Sequence, residues 1–156
     1  MTAVDTQTIH RVMHEIKRRR LQVLRVVDLT PRMRRITLGG PELAGFISLG
    51  TDDHVKLLFP QNAEQTAALE TMVLGGKNEG PMPEMRDYTP RRYDLETLEL
   101  DIDFVLHGDG PASTWAEQAT PGQFLHIGGP RGSMIVPDIF DSYLLIGDET
   151  ALPAIA

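Results

Sequence analysis

From residue 21 onward the chain is a series of short apolar runs: LQVLRVVDLT (21–30), MRRITLGG (33–40), HVKLLFP (54–60), LELDIDFVL (98–106), GQFLHIGG (122–129) and SYLLIG (142–147). Runs of this length, ended by Gly, Pro or Asp, predict strands. Many short strands with few helices predict a mainly all-β protein, a six-stranded antiparallel barrel between about residues 20 and 136 rather than a doubly wound sheet. Three stretches read as helix: 8–18, which would place His10 and His14 on one face; the Ala/Glu/Leu-rich 62–74; and PASTWAEQ (111–118), opened by Pro111. The Gly/Pro-rich loop 75–85 reads as a surface insertion. Residues 139–156 read as a strand, a Gly turn and the start of a helix. These cannot bury their own faces, so they are expected to open a second, α/β domain.

Composition narrows the chemistry. The 156 residues include no cysteine, which excludes disulfides, iron–sulfur ligation and Cys-based zinc sites. A redox role would then need an organic cofactor or a metal held by His and carboxylates. The His10/His14 spacing suits a metal, but Arg11 stands where an H-E-x-x-H motif needs Glu, so no metal site is expected. No run approaches the length of a membrane span and residues 1–20 lack a signal-peptide apolar stretch, so the default location is cytoplasmic with no membrane partner. The net charge of -7 is unevenly spread: residues 1–35 carry +6 and residues 36–156 carry -13. The basic arm lacks interleaved aromatics, which argues against nucleic acid. In the acidic remainder only Lys56, Lys77, Arg86, Arg91, Arg92 and Arg131 are cationic.

Four segments could carry chemistry. In MRDYTPRRY (85–93), a strand would put Arg86 and Tyr88 on one face, with Thr89 at the Pro90 break. Such an Arg can hold phosphate bidentately, and Tyr and Thr suit a flat ring and its polar edge. The same residues also suit an ordinary barrel strand with an exposed Arg and a half-buried Tyr. In HGDGPASTWA (107–116), Gly108 and Gly110 permit a tight turn, and the amides of Ala112, Ser113 and Thr114 would open a helix that attracts anions. Its plain alternative is a Gly-Pro turn with a Ser cap. GGPRGS (128–133) presents Arg131 on a flexible turn. GDETALP (147–153) is neither a dinucleotide fingerprint nor a P-loop.

The order of these segments resembles the ferredoxin–NADP reductase superfamily. In detail, R-x-Y-T-P-R-R at 86–92, D-F-V-L-H-G-D-G-P-A-S-x-W-A at 103–116 and G-P-R-G-S at 129–133 resemble the siderophore-interacting proteins, FAD-dependent ferric-siderophore reductases. The resemblance implies a Greek-key FAD-binding barrel at 20–138, an N-terminal extension at 1–19, and at 139–156 the start of an NAD(P)H-binding domain that is cut short. It implies Arg86 on the FAD phosphates, Tyr88 against the flavin, and Thr89 near the ring and ribityl. Asp103, Val105 and His107 would lie on one strand face toward the cofactor, and Gly110, Ala112, Ser113 and Thr114 would form the pyrophosphate loop. Lys56 and Arg131 would receive an anionic ferric siderophore at the open side of the flavin. The implied reaction passes electrons from NADPH or NADH through FAD to chelated iron(III), releasing iron(II), with no catalytic acid or base in the iron step. Two other readings are another flavin reductase of the superfamily and a non-catalytic barrel module binding oligonucleotides or oligosaccharides. The 6% aromatic content and the acidic strands argue against the latter.

Overall fold

The structure, a computed structural model, describes residues 7–156. Its strands are β1 (His10–Met13), β2 (Arg18–Thr30), β3 (Met33–Gly39), β4 (Val55–Phe59), β5 (Glu84–Tyr88), β6 (Arg92–Asp94), β7 (Glu99–Val105), β8 (Phe124–Gly128) and β9 (Gly132–Ile135); its helices are α1 (Ala63–Thr71), α2 (Pro111–Gln118) and α3 (Leu152–Ile155). All pairings are antiparallel, as the short-run pattern predicts. Seven strands form one sheet in the order β5-β4-β8-β2-β3-β7-β6, and β1 and β9 form a separate ribbon.

The barrel differs from expectation in strand number and in closure. The sheet is open, and its two edge strands, β5 and β6, are consecutive in the chain. Only Thr89, Pro90 and Arg91 separate them. Pro90 has no N–H to offer a ladder and Arg91 N donates instead to Asp101 O at 2.9 Å, so the chain itself bridges the seam where hydrogen bonds would close a barrel.

The inner face holds the core. Leu21, Val23, Ile36, Leu38, Leu57, Leu100, Ile102, Phe104, Leu125 and Ile127 are buried in one cluster. Burying side chains of this size contributes about 1.5–3 kcal/mol each. The outer face of β3, β7 and β6 is also covered, by cross-strand charge pairs. Arg35 grips Asp103 with two bonds of 2.8 and 2.9 Å, and Asp101 accepts from Thr37 Oγ1 at 2.7 Å and Arg92 Nε at 3.1 Å. This is why the alternating acids of LELDIDFVL are tolerated in a strand buried on both faces.

Two predicted elements are replaced. Residues 10–13 form strand β1, not helix: Arg11 is opposite Met134 and Val12 opposite Ser133. Positions four apart along an extended chain are roughly 13 Å apart, so His10 and His14 cannot share a metal. His14 instead fastens the end of β1 to β9, and Ser133 ties that ribbon to the loop before β4. His14 Nε2 contacts Ser133 Oγ at 2.7 Å, and Ser133 donates to the buried Asp53, which also accepts from Ser48 Oγ at 2.8 Å and from the amides of Leu49 and Gly50. The predicted strand at 142–147 is a partnerless segment, with Leu144 85% and Ile146 83% exposed; an apolar run becomes a strand only where another strand takes its backbone groups. The predicted helices at 62–74 and 111–118 are found as α1 and α2, α1 being shorter. Asn62 Oδ1 accepts from Gln65 N while Gln65 Oε1 accepts from Gln61 N, both at 2.8 Å, which fixes the start of α1.

Candidate functional site

The seam between the sheet edges opens onto a cleft of about 270 Å³. It is lined by Arg86, Tyr88 and Thr89 from β5 and the seam, by Asp103 and Val105 from β7, and by His107, Gly110, Ala112 and Ser113 from the turn and the start of α2. Nine of the ten residues that the sequence nominates for a cofactor thus meet in one place; Thr114 lines the neighbouring cleft instead.

The register of the β4–β5 ribbon explains the placement of the first group. Leu57 is opposite Arg86 and Val55 opposite Tyr88, and both partners are buried, so Arg86 and Tyr88 lie on the inner side of the ribbon at its free edge. The Tyr88 ring packs on Phe104 with centroids 4.6 Å apart, and Phe104 continues to Trp115 at 5.7 Å. Burial pushes the Tyr88 phenol above its ordinary range, against the pull of Arg86. Arg86 Nη2 donates to Glu84 Oε2 at 2.8 Å and Nη1 to Met85 O at 2.8 Å, with both charged side chains about half exposed.

The second group is built by a turn only glycine adopts readily. Gly108 and Gly110 have φ of 80° and 85°, where any other residue would be strained. Ser113, fully buried, accepts the amides of His107 at 3.1 Å and Gly108 at 3.2 Å, so its hydroxyl folds the loop over the helix start. Thr114 N donates to Gly110 O at 3.2 Å as the first bond of α2. The amides of Ala112 and Ser113 have no acceptor among the described residues. Two free amides at a helix N-terminus opposite an Arg form a donor set for a diphosphate. The Asp103 carboxylate is engaged by Arg35, so it does not present free charge to that site. His107 follows the end of β7 rather than continuing its face, and its Nδ1 contacts Asp109 N at 3.3 Å.

Gly110 and Pro111 also line a second cleft, of about 630 Å³, on the other side of the α2 terminus. Phe59, Gln61, Trp115, Phe124 and His126 belong to it, and Arg20 stacks on Phe124 at 3.6 Å. His126 Nδ1 is buried without a partner among the described residues, and burial, helped by Arg18 and Arg20, holds its pKa below the ordinary 6.5. Apart from Trp115 of α2, these residues belong to no motif singled out in the sequence; Arg20, Phe59, Phe124 and His126 are brought together by the pairing of β2, β4 and β8.

Lys56 and Arg131 line a third cavity together, about 690 Å³ in volume, between the β1–β9 ribbon, β4 and the segment 72–85. Lys56 lies opposite Asp87 in the ribbon, on the face away from Arg86 and Tyr88, and pairs with it at 2.7 Å. His54 Nε2 is 3.9 Å from the same carboxylate. The loop 75–85 is not a free surface insertion: Pro83 is buried, and Met82 and Met85 line the cavity with Met72, Val73 and Leu74. A Cβ at Gly128 would lie 2.6 Å from Leu74 Cδ1, so glycine there is what lets the segment close on β8. Among the described residues no helix is long and apolar enough to cross a membrane.

Known proteins match this arrangement. Residues 22–134 match the siderophore-interacting FAD-binding domain. The chain is 46% identical over 149 residues to an NADPH-dependent ferric-chelate reductase of Escherichia coli, covering 93% of this chain and 57% of that protein. It is 36% identical over 141 residues to the ferric vibriobactin reductase of Vibrio cholerae, covering 88% and 52%. A crystal structure of a siderophore utilization protein from T. fusca superposes with a TM-score of 0.82 at 41% identity, covering 95% of this chain and 57% of that one. The chain therefore spans little more than half the length of these relatives. With the seam cleft, the glycine turn and the matched residues in agreement, the chain belongs to the family of siderophore-interacting FAD-binding domains.

Proposed function

We propose that this chain is the FAD-binding portion of an NADPH-dependent ferric-siderophore reductase, with the barrel domain at 20–138 following an N-terminal extension and residues 139–156 beginning the nucleotide-binding domain. The observation that carries the reading is the seam cleft, where Arg86 and two unpartnered amides of α2 face the same space as Tyr88 and Thr89. Arg86, Ala112 N and Ser113 N hold the diphosphate, Tyr88 and Thr89 take the flavin, and the adenosine half extends into the cleft beyond Gly110 and Pro111. Bound FAD supplies an electron pair, delivered singly to chelated iron(III). The protein's own part is to fix the cofactor, back the Tyr88 ring with the buried Phe104, and gather Lys56 and Arg131 for an anionic chelate. No side chain has to move a proton in the iron step. The working location proposed for such a reductase is the cytoplasm.

The test loads the protein with FAD, reduces it with dithionite under argon, removes the excess, and mixes it with a ferric chelate in the presence of a colorimetric iron(II) trap. Iron(II) appearing at about two per flavin, faster than with free reduced FAD, is the expected result. Failure to retain FAD, or a rate equal to that of the free cofactor, would overturn the proposal.

A further inference from the structure

Four arginines follow residue 35 in the acidic remainder of the chain: Arg86, Arg91, Arg92 and Arg131. Arg86 bonds Glu84, and Arg131 stands with Lys56 in the third cavity. Arg92 is surrounded by acids, with Asp101 at 3.1 Å, Glu99 at 3.6 Å and Asp94 at 3.8 Å. Its neighbour Arg91 is the contrast. It is half-buried and its backbone N–H goes to Asp101 O, yet among the described residues its guanidinium has no carboxylate or hydrogen-bond partner. A guanidinium taken partly out of water is ordinarily paired, so an unpaired one on a cavity wall calls for an anion from outside the chain.

The cavity is small, about 270 Å³, and lies between the loop 48–51, the seam and the end of the chain at Pro153 and Ala156. Its loop wall is held in place: Asp53 accepts the amides of Leu49 and Gly50, and Tyr93 Oη donates to Ser48 O at 3.0 Å. Pro153 lines both this cavity and the cofactor cleft, so the two meet there, whereas neither Lys56 nor Arg131 belongs to it. Sites that hold an entire small molecule measure roughly 300–1,000 Å³. A smaller one beside the cofactor suits a single charged group of a longer ligand whose remainder lies in the cleft. Chain geometry says which group. Thr89, assigned to the flavin, and Arg91 are two residues apart, a span of at most about 7 Å. A nicotinamide that reduces the flavin has to lie against it, with reacting atoms about 3–3.5 Å apart. One ribose joins that ring to its pyrophosphate, and a 2′-phosphate, where present, is on the second ribose beyond. The pyrophosphate is the anion that falls beside Arg91.

We propose that Arg91 binds the pyrophosphate of the nicotinamide dinucleotide that reduces the flavin, which makes it a donor-binding residue supplied by the barrel. The inference rests on the reading of this chain as part of a flavin-dependent reductase. Arg91 offers a planar fork of charge-assisted hydrogen bonds to the pyrophosphate oxygens, beside the edge of the sheet where the flavin is held. NADPH and NADH share the pyrophosphate, so Arg91 adds affinity for both and does not choose between them. Nothing is transferred to or from Arg91; its contribution is to binding.

The test is equilibrium dialysis of the FAD-loaded protein, at low and at physiological salt, against NADP⁺ and NAD⁺, which cannot reduce the flavin, with nicotinamide riboside as the comparison that lacks a pyrophosphate. Arg91→Gln should weaken both dinucleotides about tenfold at low salt and less at high salt, with the riboside unchanged. Arg91→Lys should restore part of the loss, and both variants should keep their FAD and their melting temperature, which separates recognition from folding. Bleaching of the flavin by NADPH should slow in Arg91→Gln while reduction by dithionite does not. Unchanged dinucleotide binding in Arg91→Gln would overturn the role of Arg91. A loss for NADP⁺ alone would place the contact at the 2′-phosphate and overturn the pyrophosphate assignment, and an equal loss for the riboside would show an effect on the flavin or the fold. A parent protein that binds neither dinucleotide, yet delivers iron(II) after dithionite reduction, would overturn the barrel's part in donor binding and leave the reductase reading standing.

Discussion

Arg86 is the residue on which the cofactor reading is most exposed to test, because without ligand it already has a partner. Its guanidinium bonds Glu84 at 2.8 Å, with side-chain exposures of 48% and 51%. An exposed pair of this kind is worth about 0–1 kcal/mol. A phosphate offers charge-assisted hydrogen bonds worth about 1.5–3 kcal/mol, so binding exchanges a weak partner for a stronger one. Removing the side chain with Arg86→Ala loses the phosphate bonds in the complex and the Glu84 pair in the free protein. The difference is about 0.5–3 kcal/mol, or roughly two- to 160-fold in Kd for FAD. Glu84→Gln acts in the opposite direction: it removes the competitor and should tighten FAD up to about fivefold at low salt. In the double variant the benefit of Glu84→Gln should shrink, since no guanidinium remains to be released. Equilibrium dialysis against FAD, read at the flavin's visible absorbance, measures all four proteins, and riboflavin, which has no phosphate, is the control. An FAD affinity unchanged by Arg86→Ala, or a loss equally large for riboflavin, would refute the phosphate assignment.

Two further predictions concern the scaffold. Ser133→Ala removes a buried hydroxyl that donates to Asp53 and accepts from Leu49 N and His14, so it should lower urea stability by about 2–3 kcal/mol; a change under about 0.5 kcal/mol would mean the network does not fasten the ribbon to the sheet. His126, held below its ordinary 6.5 by burial and by Arg18 and Arg20, with Glu70 and Glu42 opposing, binds a proton more readily unfolded than folded. Its stabilising contribution is therefore present above pH 6.5 and lost as pH falls toward the folded-state value, a window separate from that of the depressed carboxylates Glu99, Asp94 and Asp28, which act at more acidic pH. The urea midpoint should fall across that window and His126→Gln should flatten the fall; an identical slope in the variant would contradict the assignment.

The strands legible in the sequence are those whose burial follows the period of two or fills both faces: β2, β3, β4, β7 and β8. β5 is different. EMRDY is exposed over four of its five residues, so no apolar alternation announces it, and it exists because β4 supplies its backbone partners. β1 misleads for the same reason: His10 and His14 suggest a helix face, but GSMI of β9, far along the chain, offers a ladder. At 142–147 the error is reversed, with a strand-like run that finds no partner among the described residues. That the residues near Arg86 and Gly110 would meet in one cleft was legible because the phosphate binding proposed for them needs particular residue types in a short segment. The cavity that joins Lys56 and Arg131 was not, since what builds it is the pairing of remote strands and the fold of one loop over Gly128.

Asp87 links the two halves of the reading. It follows Arg86 and precedes Tyr88 on β5, yet its carboxylate holds Lys56 at 2.7 Å on the other side of the ribbon. Lys56 and Asp87 are each about half exposed, 47% and 52%, so their pair is worth only about 0–1 kcal/mol. The Lys56 charge is thus balanced by Asp87, and an anion approaching it would have to outcompete a carboxylate already in place. A singly charged, strongly hydrated ion gains little from that exchange. A multiply charged chelate of the kind proposed for this cavity, reached by Arg131 as well, would gain more than the one contact it displaces. On the proposed reading, discrimination against small anions would come from that internal competitor, and preference for a larger polyanion from Arg131, whose guanidinium has no carboxylate partner among the described residues.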